Sequence, residues 1–425
     1  MSTPPRKLVN DCFAASHKLM PHEEAMALLR KRISPIAATR EVALADALGR
    51  VLAEDVIAPR DIPAFDNAAM DGYALRHGDL KPDGETALPI SMEIFAGDRP
   101  RDLPAGTVAR IFTGAAMPKG ADTCVMQEDV HRQGDEAHFP AGIPKGIHVR
   151  PAGEDQAAGC PVARAGQRLR APELAAIASA GVGRVRVFAP LKVALMSSGN
   201  EIIRPGEPFR PGAIYDANHF ILRGAMAGLG VEIADYGILQ DNRAVVEAAY
   251  ERAAAECDVI VTSAGASQGE ADYMAETVAR MGTLHAWRLA IKPGKPIGFG
   301  QIGDTVFLSL PGNPVAAFVT FLIYGWPVLS ALGGHVWREP ARHPLPAGFA
   351  IARRKTGRRE FLRGWTEPDG QGGVRVCRFA RDGSGLISSA VAATGLIELT
   401  EELESVSEGD KVNFIPFGEF GIGPK

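Results

Sequence analysis

The chain has 425 residues, and since a single hydrophobic core stops growing near about 250–300 residues, we expect several domains. With 46% hydrophobic and 23% charged residues, its composition is that of an ordinary globular protein. The formal net charge is -4 and no long basic run occurs, so a nucleic-acid partner is not expected.

The cysteines argue against a secreted, disulfide-bonded protein. There are five of them, an odd number, and no two have the C-x-x-C spacing of a zinc or redox motif. Charged residues also interrupt every apolar stretch of residues 1–29, which is unlike a secretion signal. We therefore expect a cytoplasmic protein.

One segment resembles a membrane span by composition. No Asp, Glu, Lys or Arg occurs between Asp304 and Arg338, and a span needs only about 20 apolar residues. The segment is interrupted by LPGNP at residues 310–314 and again by Gly325 and Pro327. These breaks favour a buried strand, a turn and a buried helix over a membrane helix.

The first part of the chain alternates between helical and strand patterns. Apolar spacing predicts amphipathic helices over residues 22–33 and 41–54. From about residue 60, short β-branched runs between Gly, Pro and Asp predict a small β domain. Residues 172–180 return to a helical pattern, with Pro172 in the first turn and Gly181 just beyond the end.

Residues 190–335 alternate strands and helices regularly. The predicted strands cover residues 191–197, 231–239, 258–265 and 284–291, followed by a hairpin over 297–310. The predicted helices begin at Asn218, Asp241, Ala271 and Asn313. Strands separated by helices predict a parallel, doubly wound sheet. Residues 336–425 are strand-like again and predict a C-terminal β-barrel.

Small polar residues and glycines follow successive predicted strands. Since parallel strands end at one edge of a sheet, ligands bind there, and glycine lets backbone N–H groups approach an anion. We therefore interpret these loops as a phosphate cradle; the alternative is that Gly and Ser merely terminate strands. The candidate binding residues are Ser198, Gly199, Ser263, Gly265, Ser267, Gly294, Pro311, Gly312 and Asn313.

Lys292 and Lys295 lie on one proline-containing turn, IKPGKP. Two ammonium groups held close together repel each other unless an anion lies between them, so the turn predicts anion binding. A solvated basic turn is the alternative. Asn313 before Pro314 is in addition a typical helix N-cap, which is a separate role from binding a ligand.

Three carboxylates follow strands of the same sheet: Glu201, Asp241 and Asp272. Oxygen ligands beside a phosphate site are what Mg2+ requires, so these three are candidate metal ligands. Asp241 and Asp272 could instead be helix caps. Further upstream, residues 63–73 are rich in Asp, Asn and Gly, which predicts a binding loop beyond what turn chemistry explains.

Taken together, these segments resemble the molybdopterin molybdenumtransferase family, which includes the bacterial MoeA type and the E domain of gephyrin. The resemblance covers residues 20–420 and is most specific where three motifs combine, DNAAMDGYA, IKPGKP and LPGNP. It is carried by PAFDNAAMDGYAL, RIFTGAAMP, GEDQAAG, SSGNEI, GAIYDANHF, SQGEADYM, LAIKPGKP and LPGNPVAAFVTF.

The resemblance implies a multidomain α/β plus β architecture. Residues 1–59 and 150–187 would form a split N-terminal domain, 60–149 an inserted β domain, 188–335 the molybdopterin-binding α/β domain and 336–425 the barrel. Family members are elongated homodimers with shared sites. The implied catalytic or substrate-binding residues are Asp66, Thr113 and Asp155 on one side, Glu201, Asp241, Asp272, Lys292 and Lys295 on the other, and Arg363 and Ser384 in the barrel.

The implied reaction inserts molybdate into the dithiolene of adenylylated molybdopterin and releases AMP, with Mg2+ as cofactor. The pathway's adenylyltransferase is an implied partner. Two positions depart from the family pattern: Asn200 stands where Asp is common, and Ala264 where a second glycine is usual. Two alternatives are an adenylyltransferase-like enzyme and a non-catalytic scaffold of the gephyrin type.

Overall fold

The computed structural model of the chain describes residues 19–264 and 273–423. These residues form two compact units. The larger unit contains the described parts of residues 1–40, 49–53 and 187–425, and the smaller unit contains residues 41–48 and 54–186.

The α-helices of the described residues are α1 (His22–Arg32), α2 (Ala171–Ser179), α3 (Ala217–Met226), α4 (Arg243–Glu256), α5 (Tyr273–Met281), α6 (Pro314–Thr320), α7 (Trp326–Leu332) and α8 (Ile387–Ala392). The strands are β1 (Thr39–Ala43), β2 (Val56–Ile57), β3 (Asn67–Ala68), β4 (Gly72–Leu75), β5 (Thr86–Ile94), β6 (Val108–Ile111), β7 (Thr123–Met126), β8 (His131–Gln133), β9 (Glu136–Phe139), β10 (Val149–Arg150), β11 (Pro161–Ala163), β12 (Arg184–Phe188), β13 (Lys192–Ser198), β14 (Ile202–Ile203), β15 (Ile214–Tyr215), β16 (Glu232–Leu239), β17 (Val259–Ser263), β18 (Thr283–Arg288), β19 (Ile291–Lys292), β20 (Pro296–Ile302), β21 (Thr305–Leu310), β22 (His343–Pro346), β23 (Arg359–Pro368), β24 (Val374–Arg378), β25 (Gly395–Leu399) and β26 (Lys411–Pro416).

A six-stranded sheet forms the centre of the larger unit, with strand order β16-β13-β17-β21-β20-β18. The first four strands are parallel, whereas β20 is antiparallel to both of its neighbours. The predicted hairpin over residues 297–310 is confirmed as β20 and β21, which add an antiparallel edge to the predicted parallel sheet. Only Gly303 and Asp304 connect β20 to β21, and so short a link permits only an antiparallel pair.

The sheet is covered by helices on both faces. Side chains alternate along β13, so that Val193 and Leu195 enter one core and Ala194 and Met196 enter the other. Helices α3, α6 and α7 contribute to the first core, and α4 and α5 to the second. The sheet is therefore doubly wound. After β13 the chain forms β16 on one side of that strand and then crosses back to form β17 on the other side. This reversal of strand order creates a topological switch point between β13 and β17.

The apolar segment after β21 is a buried helix. Residues Pro314–Leu332 form one continuous helix, with a π-helical turn at Phe321–Gly325 between α6 and α7. This helix is long and apolar enough to cross a membrane, but 94% of its apolar window is buried inside the protein. The predicted strand, turn and buried helix are thereby confirmed.

The C-terminal strands form a second sheet in the larger unit. Its order is β19-β23-β25-β26-β22, and β24 pairs with the other part of β23. Beyond β22, Ala347 bridges to Val376 of β24, so the two outer strands meet and the sheet curls around its own core. The short strand β19 joins this sheet directly from the α/β region, since it pairs with the start of β23.

The smaller unit is built around a six-stranded sheet with the order β7-β4-β6-β5-β9-β8. Two short strand pairs, β3 with β10 and β2 with β11, lie beside it. The predicted helix over residues 172–180 is confirmed as α2, with Pro172 in its first turn and Gly181 at φ +80 beyond its end.

The predicted helix over residues 41–54 is wrong. The segment contains the end of β1, one 3-10 turn at Leu44–Asp46 and an extended stretch. The N–H of Leu44 donates to the carbonyl of Gly183, and Leu52 bridges to Val187. Gly49, at φ +75, breaks the helical conformation. Hydrogen bonds to distant segments outweigh a weak local helix preference here.

Candidate active site

A cavity of about 870 Å3 opens at the carboxyl ends of the sheet strands in the larger unit. Loops following β13, β17 and β21 line it, as do the lysine turn and the barrel. The predicted residues that line it are Ser198, Glu201, Ser263, Lys292, Gly294, Lys295, Pro311, Gly312, Asn313, Arg363 and Ser384. The structure thus brings most of the predicted strand-end residues into one concave site.

The floor of the cavity lies at the switch point of the sheet. Ser263, at the end of β17, donates its hydroxyl to Ser197 of β13 across 3.3 Å. Gly199 follows β13 at φ +145, and a Cβ atom there would lie 2.6 Å from Glu201 Oε2. Glycine is therefore required for the Glu201 carboxylate to fold back toward the floor of the cavity.

Asp241 supports the loop after β13 and does not line the cavity. Its carboxylate accepts the hydroxyl of Ser198 at 3.2 Å and the N–H of Asn200 at 3.2 Å, while Asn200 Oδ1 accepts the N–H of Asp241 at 3.1 Å. The alternative of a helix cap is wrong, because α4 begins at Arg243 and is capped by the side chain of Asn242.

The lysine turn contributes two different ammonium groups. Lys292 Nζ lies 3.5 Å from Glu360 Oε2, so this lysine already has a protein carboxylate beside it. Lys295 lines the same cavity, and within residues 19–264 and 273–423 no carboxylate lies within ion-pair distance of it. Gly294 holds the turn against the buried helix: a Cβ there would lie 2.2 Å from Thr320 Oγ1.

Arg363 is a buried cation. It is 4% exposed, and its guanidinium donates to Ser389 Oγ at 3.0 Å and to the carbonyls of Phe361 and Gly383 at 3.4 Å. In the described part of the chain no carboxylate lies within ion-pair distance of it. Burial lowers the pKa of its guanidinium, and the more distant charge of Asp382 opposes that shift only in part. An unpaired buried charge is costly, so an anion entering the cavity would gain a strong and already desolvated partner.

Asn313 and Ser384 both line the cavity at the N-terminus of α6. Asn313 occupies the N-cap position of this helix, and its carbonyl accepts the N–H of Ala317 at 2.8 Å, but its side chain makes no capping hydrogen bond. Its amide is therefore not used in the expected cap. The carbonyl of Ser384 accepts the N–H of Val315 at 2.9 Å, which fixes the serine at the start of the same helix.

Several cavity residues were missed by sequence reasoning. Asp216, 2% exposed, caps α3 by accepting the N–H of His219 at 3.0 Å and is paired with Arg204 at 3.3 Å. Asn218 donates to the carbonyl of Gly312 at 2.7 Å. The motif DANHF carried a signal for Asp216, since an aspartate immediately before a helical run is a typical N-cap. Tyr215, Arg358 and Asp382 also line the cavity and had no such signal.

The predicted site residues Asp66, Thr113 and Asp155 belong to the smaller unit and make hydrogen bonds within it. Asp66 Oδ1 accepts the N–H of Ala152 at 2.8 Å. Thr113 donates both its N–H, at 2.8 Å, and its hydroxyl, at 2.7 Å, to Asp71, and these bonds lower the pKa of Asp71. Asp155 is exposed, and its N–H donates to the carbonyl of Ile62 at 3.0 Å.

Three predicted site residues, Gly265, Ser267 and Asp272, lie outside the described residues. Among the residues that are described, no group of three or more His, Cys, Asp or Glu side chains is arranged to hold a metal ion. Ala264 has φ +93, a conformation that favours glycine, which is the residue usual there in the family.

The fold and the cavity define a multidomain α/β protein with a cationic site at a sheet switch point. Three family models match successive parts of the chain: the MoeA N-terminal region (domains I and II) at residues 20–181, a probable molybdopterin-binding domain at 194–331, and the MoeA C-terminal region (domain IV) at 346–417.

Relatives of known name match over nearly the whole chain. A molybdopterin molybdenumtransferase from Haemophilus influenzae is 36% identical, with 89% of this chain and 94% of the relative aligned. Molybdopterin molybdenumtransferase 2 from Mycobacterium tuberculosis is 32% identical over 92% and 97%. A crystal structure of the molybdopterin biosynthesis MoeA protein from Pyrococcus horikoshii superposes with a TM-score of 0.78 at 30% identity, covering 94% and 100%. The chain belongs to the MoeA family of molybdopterin molybdenumtransferases.

Proposed function

We propose that this chain is a transferase that inserts molybdate into the dithiolene of adenylylated molybdopterin and releases AMP. The names of its relatives support this activity. The observation that carries the proposal is the buried, unpaired Arg363, which lines the same cavity as Lys292 and Lys295. With Arg358, which lines the same cavity, four cations around one concave site fit a reaction that must bring two anions together.

The described residues account for binding and orientation. Lys295 and Arg363 offset the negative charge of the pyrophosphate and of molybdate, and α6 directs the positive end of its dipole toward the cavity beside Asn313 and Ser384. Holding both anions in one cavity supplies proximity and orientation for exchange of oxygen for sulfur ligands at molybdenum. The two oxygens that molybdate gives up leave as water, with protons from the thiols and the solvent. A water molecule adds to the phosphoanhydride as AMP leaves, so no side-chain nucleophile is required.

We also propose that Mg2+ assists at this site. Its donor set fits the ion in part: the carboxylate of Glu201 lines the cavity, Asp241 lies behind the same loop, and Asp272 belongs to the segment outside the described residues. One or two carboxylates with substrate phosphate satisfy Mg2+, which usually retains several waters. When bound, the ion would neutralise phosphate oxygens.

The proposal extends to assembly and location. We propose a cytoplasmic homodimer of four-domain subunits in which Asp66 and Thr113 act on the site of the partner, with the pathway's adenylyltransferase as supplier of the substrate. The resemblance of the inserted region to the family supports the shared site. In addition, Phe65 and Met70, beside the predicted binding loop, are 48% and 43% exposed, as expected for side chains that a partner covers.

Incubation of the purified protein with adenylylated molybdopterin, Mg2+ and molybdate tests the activity. We expect release of AMP that depends on molybdate, measured by chromatography of the nucleotide. A reaction without molybdate is the control. If a known active relative releases AMP under the same conditions and this protein does not, the scaffold alternative is correct.

A further inference from the structure

Glu360 is a buried carboxylate at the edge of the cationic cavity. The residue is 8% exposed, and it is the second residue of β23 and the register partner of Lys292 in β19. The two strands are parallel, so the paired side chains extend from the same face, and Glu360 Oε2 lies 3.5 Å from Lys292 Nζ. The strand pairing therefore fixes which carboxylate accompanies this lysine.

Glu360 is held from behind by Arg354. Arg354 Nε lies 3.5 Å from Glu360 Oε1, close enough for ion pairing although without the geometry of a hydrogen bond. The other guanidinium nitrogens of Arg354 donate to main-chain carbonyls, including those of Thr400 and Leu403 at 2.6 Å. Because Arg354 is fixed by the backbone and its side chain is 2% exposed, Glu360 cannot easily move away.

The two side chains of the Lys292–Glu360 pair differ in their exposure to solvent. The Lys292 side chain is 43% exposed, whereas that of Glu360 is 10% exposed. An ammonium group has three donors, so Lys292 can hold Glu360 and still donate to a ligand in the cavity. The carboxylate stays in place when an anion arrives, and its charge opposes that anion.

We propose that Glu360 is a positioning residue that orients Lys292 and acts as the resident counter-ion of the cavity, thereby weakening the binding of small inorganic anions relative to the larger, polyanionic substrate. This inference rests on the proposed anion-binding function. In the empty cavity Glu360 offsets the repulsion between Lys292 and its neighbouring cations. A simple oxyanion must compete with this fixed carboxylate, whereas adenylylated molybdopterin makes further contacts that compensate.

Titration of the full chain with inorganic phosphate, followed by calorimetry at low ionic strength, tests the proposal. Glu360→Gln should bind phosphate about three- to tenfold more tightly than the wild type, because one nearby negative charge is removed. The gain should shrink as NaCl is added. A structural defect alone would not tighten binding, so this readout separates a counter-ion from a packing residue.

Matched variants sharpen the result. Glu360→Asp keeps the charge and should bind phosphate nearly as the wild type does. Glu402→Gln removes the same charge at an exposed position outside the cavity lining and should leave the affinity unchanged. Lys292→Gln in the Glu360→Gln background should abolish the gain, since the effect acts through Lys292.

The outcomes distinguish this inference from the proposed function. If wild type binds phosphate but folded Glu360→Gln binds it no more tightly, the counter-ion role is wrong and the function stands. If the wild type binds no phosphate even at low ionic strength, the counter-ion role and the proposed anion-binding function are both wrong. If Glu360→Gln does not fold, the two lysine variants test the proposal. Lys292→Gln must weaken phosphate binding less than Lys295→Gln does, because Glu360 already offsets the charge of Lys292. An equal or larger loss in Lys292→Gln refutes the proposal.

Discussion

The cavity of the larger unit and the Asp-rich loop of the smaller unit use charged side chains in contrasting ways. In the cavity, Arg363 is buried without a carboxylate partner, and Lys295 has none within ion-pair distance among the described residues. In the loop, Asp66 and Asp71 accept hydrogen bonds from nearby backbone N–H groups.

This difference separates two kinds of functional evidence in a single chain. A buried charge that has hydrogen bonds but no ion-pair partner points to a ligand in a concave site, because folding alone would not favour burying it. The aspartates of the loop are already satisfied by hydrogen bonds from other segments of the same unit, and any further role needs another molecule. The cavity can therefore be tested by mutation within one subunit, whereas the loop is best tested by mixing subunits.

Arg363→Gln should have the largest effect on the cavity. We expect molybdate-dependent AMP release to fall on the order of a hundredfold, the loss typical of removing one donor to an oxyanion. The melting temperature should change little or rise, because burial already disfavours this charge and lowers its pKa. Initial rates and thermal melts measure both. A large loss of stability with intact activity per folded molecule would make Arg363 a structural anchor.

Asp66→Asn tests the loop without breaking its local structure. The amide oxygen can still accept the N–H of Ala152, but the charge is lost, so we expect activity to fall about tenfold with unchanged stability. Random mixing with inactive Lys292→Ala subunits should then restore about a quarter of wild-type activity if each site is shared across a two-fold dimer. No recovery after subunit exchange, verified by mass spectrometry, would contradict the shared site.

His22 tests the buried framework behind the cavity. Burial, with Arg359 and Arg342 nearby, lowers the pKa of His22 from 6.5 to about 3, and its Nδ1 lies 2.7 Å from the Tyr324 hydroxyl. Below pH 6.5 the His22 side chain binds a proton in the unfolded chain but stays neutral in the folded protein. Its contribution to the free energy of unfolding is therefore complete above pH 6.5 and is lost as the pH falls toward 3.

The slope for a single such group is about 1.4 kcal/mol per pH unit. His22→Gln should therefore flatten the decrease in the free energy of unfolding between pH 7 and pH 5, as measured by urea denaturation. The same slope in both proteins would mean that His22 is already protonated in the fold.

Asn200→Asp tests the metal proposal and should have a small effect. Asn200 Oδ1 accepts the N–H of Asp241, and a carboxylate oxygen can replace it while adding a charge near Glu201. We expect activity to be retained and the concentration of Mg2+ that gives half-maximal rate to stay equal or decrease. Loss of activity at all Mg2+ concentrations would instead identify Asn200 as a neutral contact to the anionic substrate.

Ala264→Gly should give the smallest change. At φ +93 an L-residue is strained, and glycine relieves that strain at some cost in chain entropy, so a net gain of about 1 kcal/mol in stability is expected. The site should keep its activity. Chemical denaturation of both proteins measures the difference, and a decrease in stability would show that the methyl group packs favourably.

The order of elements in the α/β region could be predicted from the sequence, because each helix and strand is a long segment with regular apolar spacing and the strands end at Gly and Ser. The same logic placed Ser198, Ser263 and Lys295 around one cavity. Interactions between distant segments were not readable. Nothing local indicated that Leu44 would donate to Gly183 in place of a helical bond, or that Asp71 would be the partner of Thr113.

Side-chain contacts in the site also depend on distant segments and could not be predicted from local sequence patterns. Lys292 was expected to need an external anion, yet its nearest carboxylate is Glu360, brought to it by a strand pair that local sequence patterns do not reveal. Asn313 was expected to cap α6 with its side chain, but its backbone alone does so. Spacing predicts where the chain turns, whereas side-chain partners depend on the assembled fold.

The pairing of β19 with β23 has a consequence for biosynthesis. The cations of the cavity come from two stretches of chain, Lys292 and Lys295 from one and Arg363 from another some seventy residues later. Contacts between such distant segments form after the local ones, since a long loop must first be closed. A nascent chain that has been extended only to the end of α7 contains every strand of the central sheet but not Arg363, so it cannot form the complete anion site before β23 has been made.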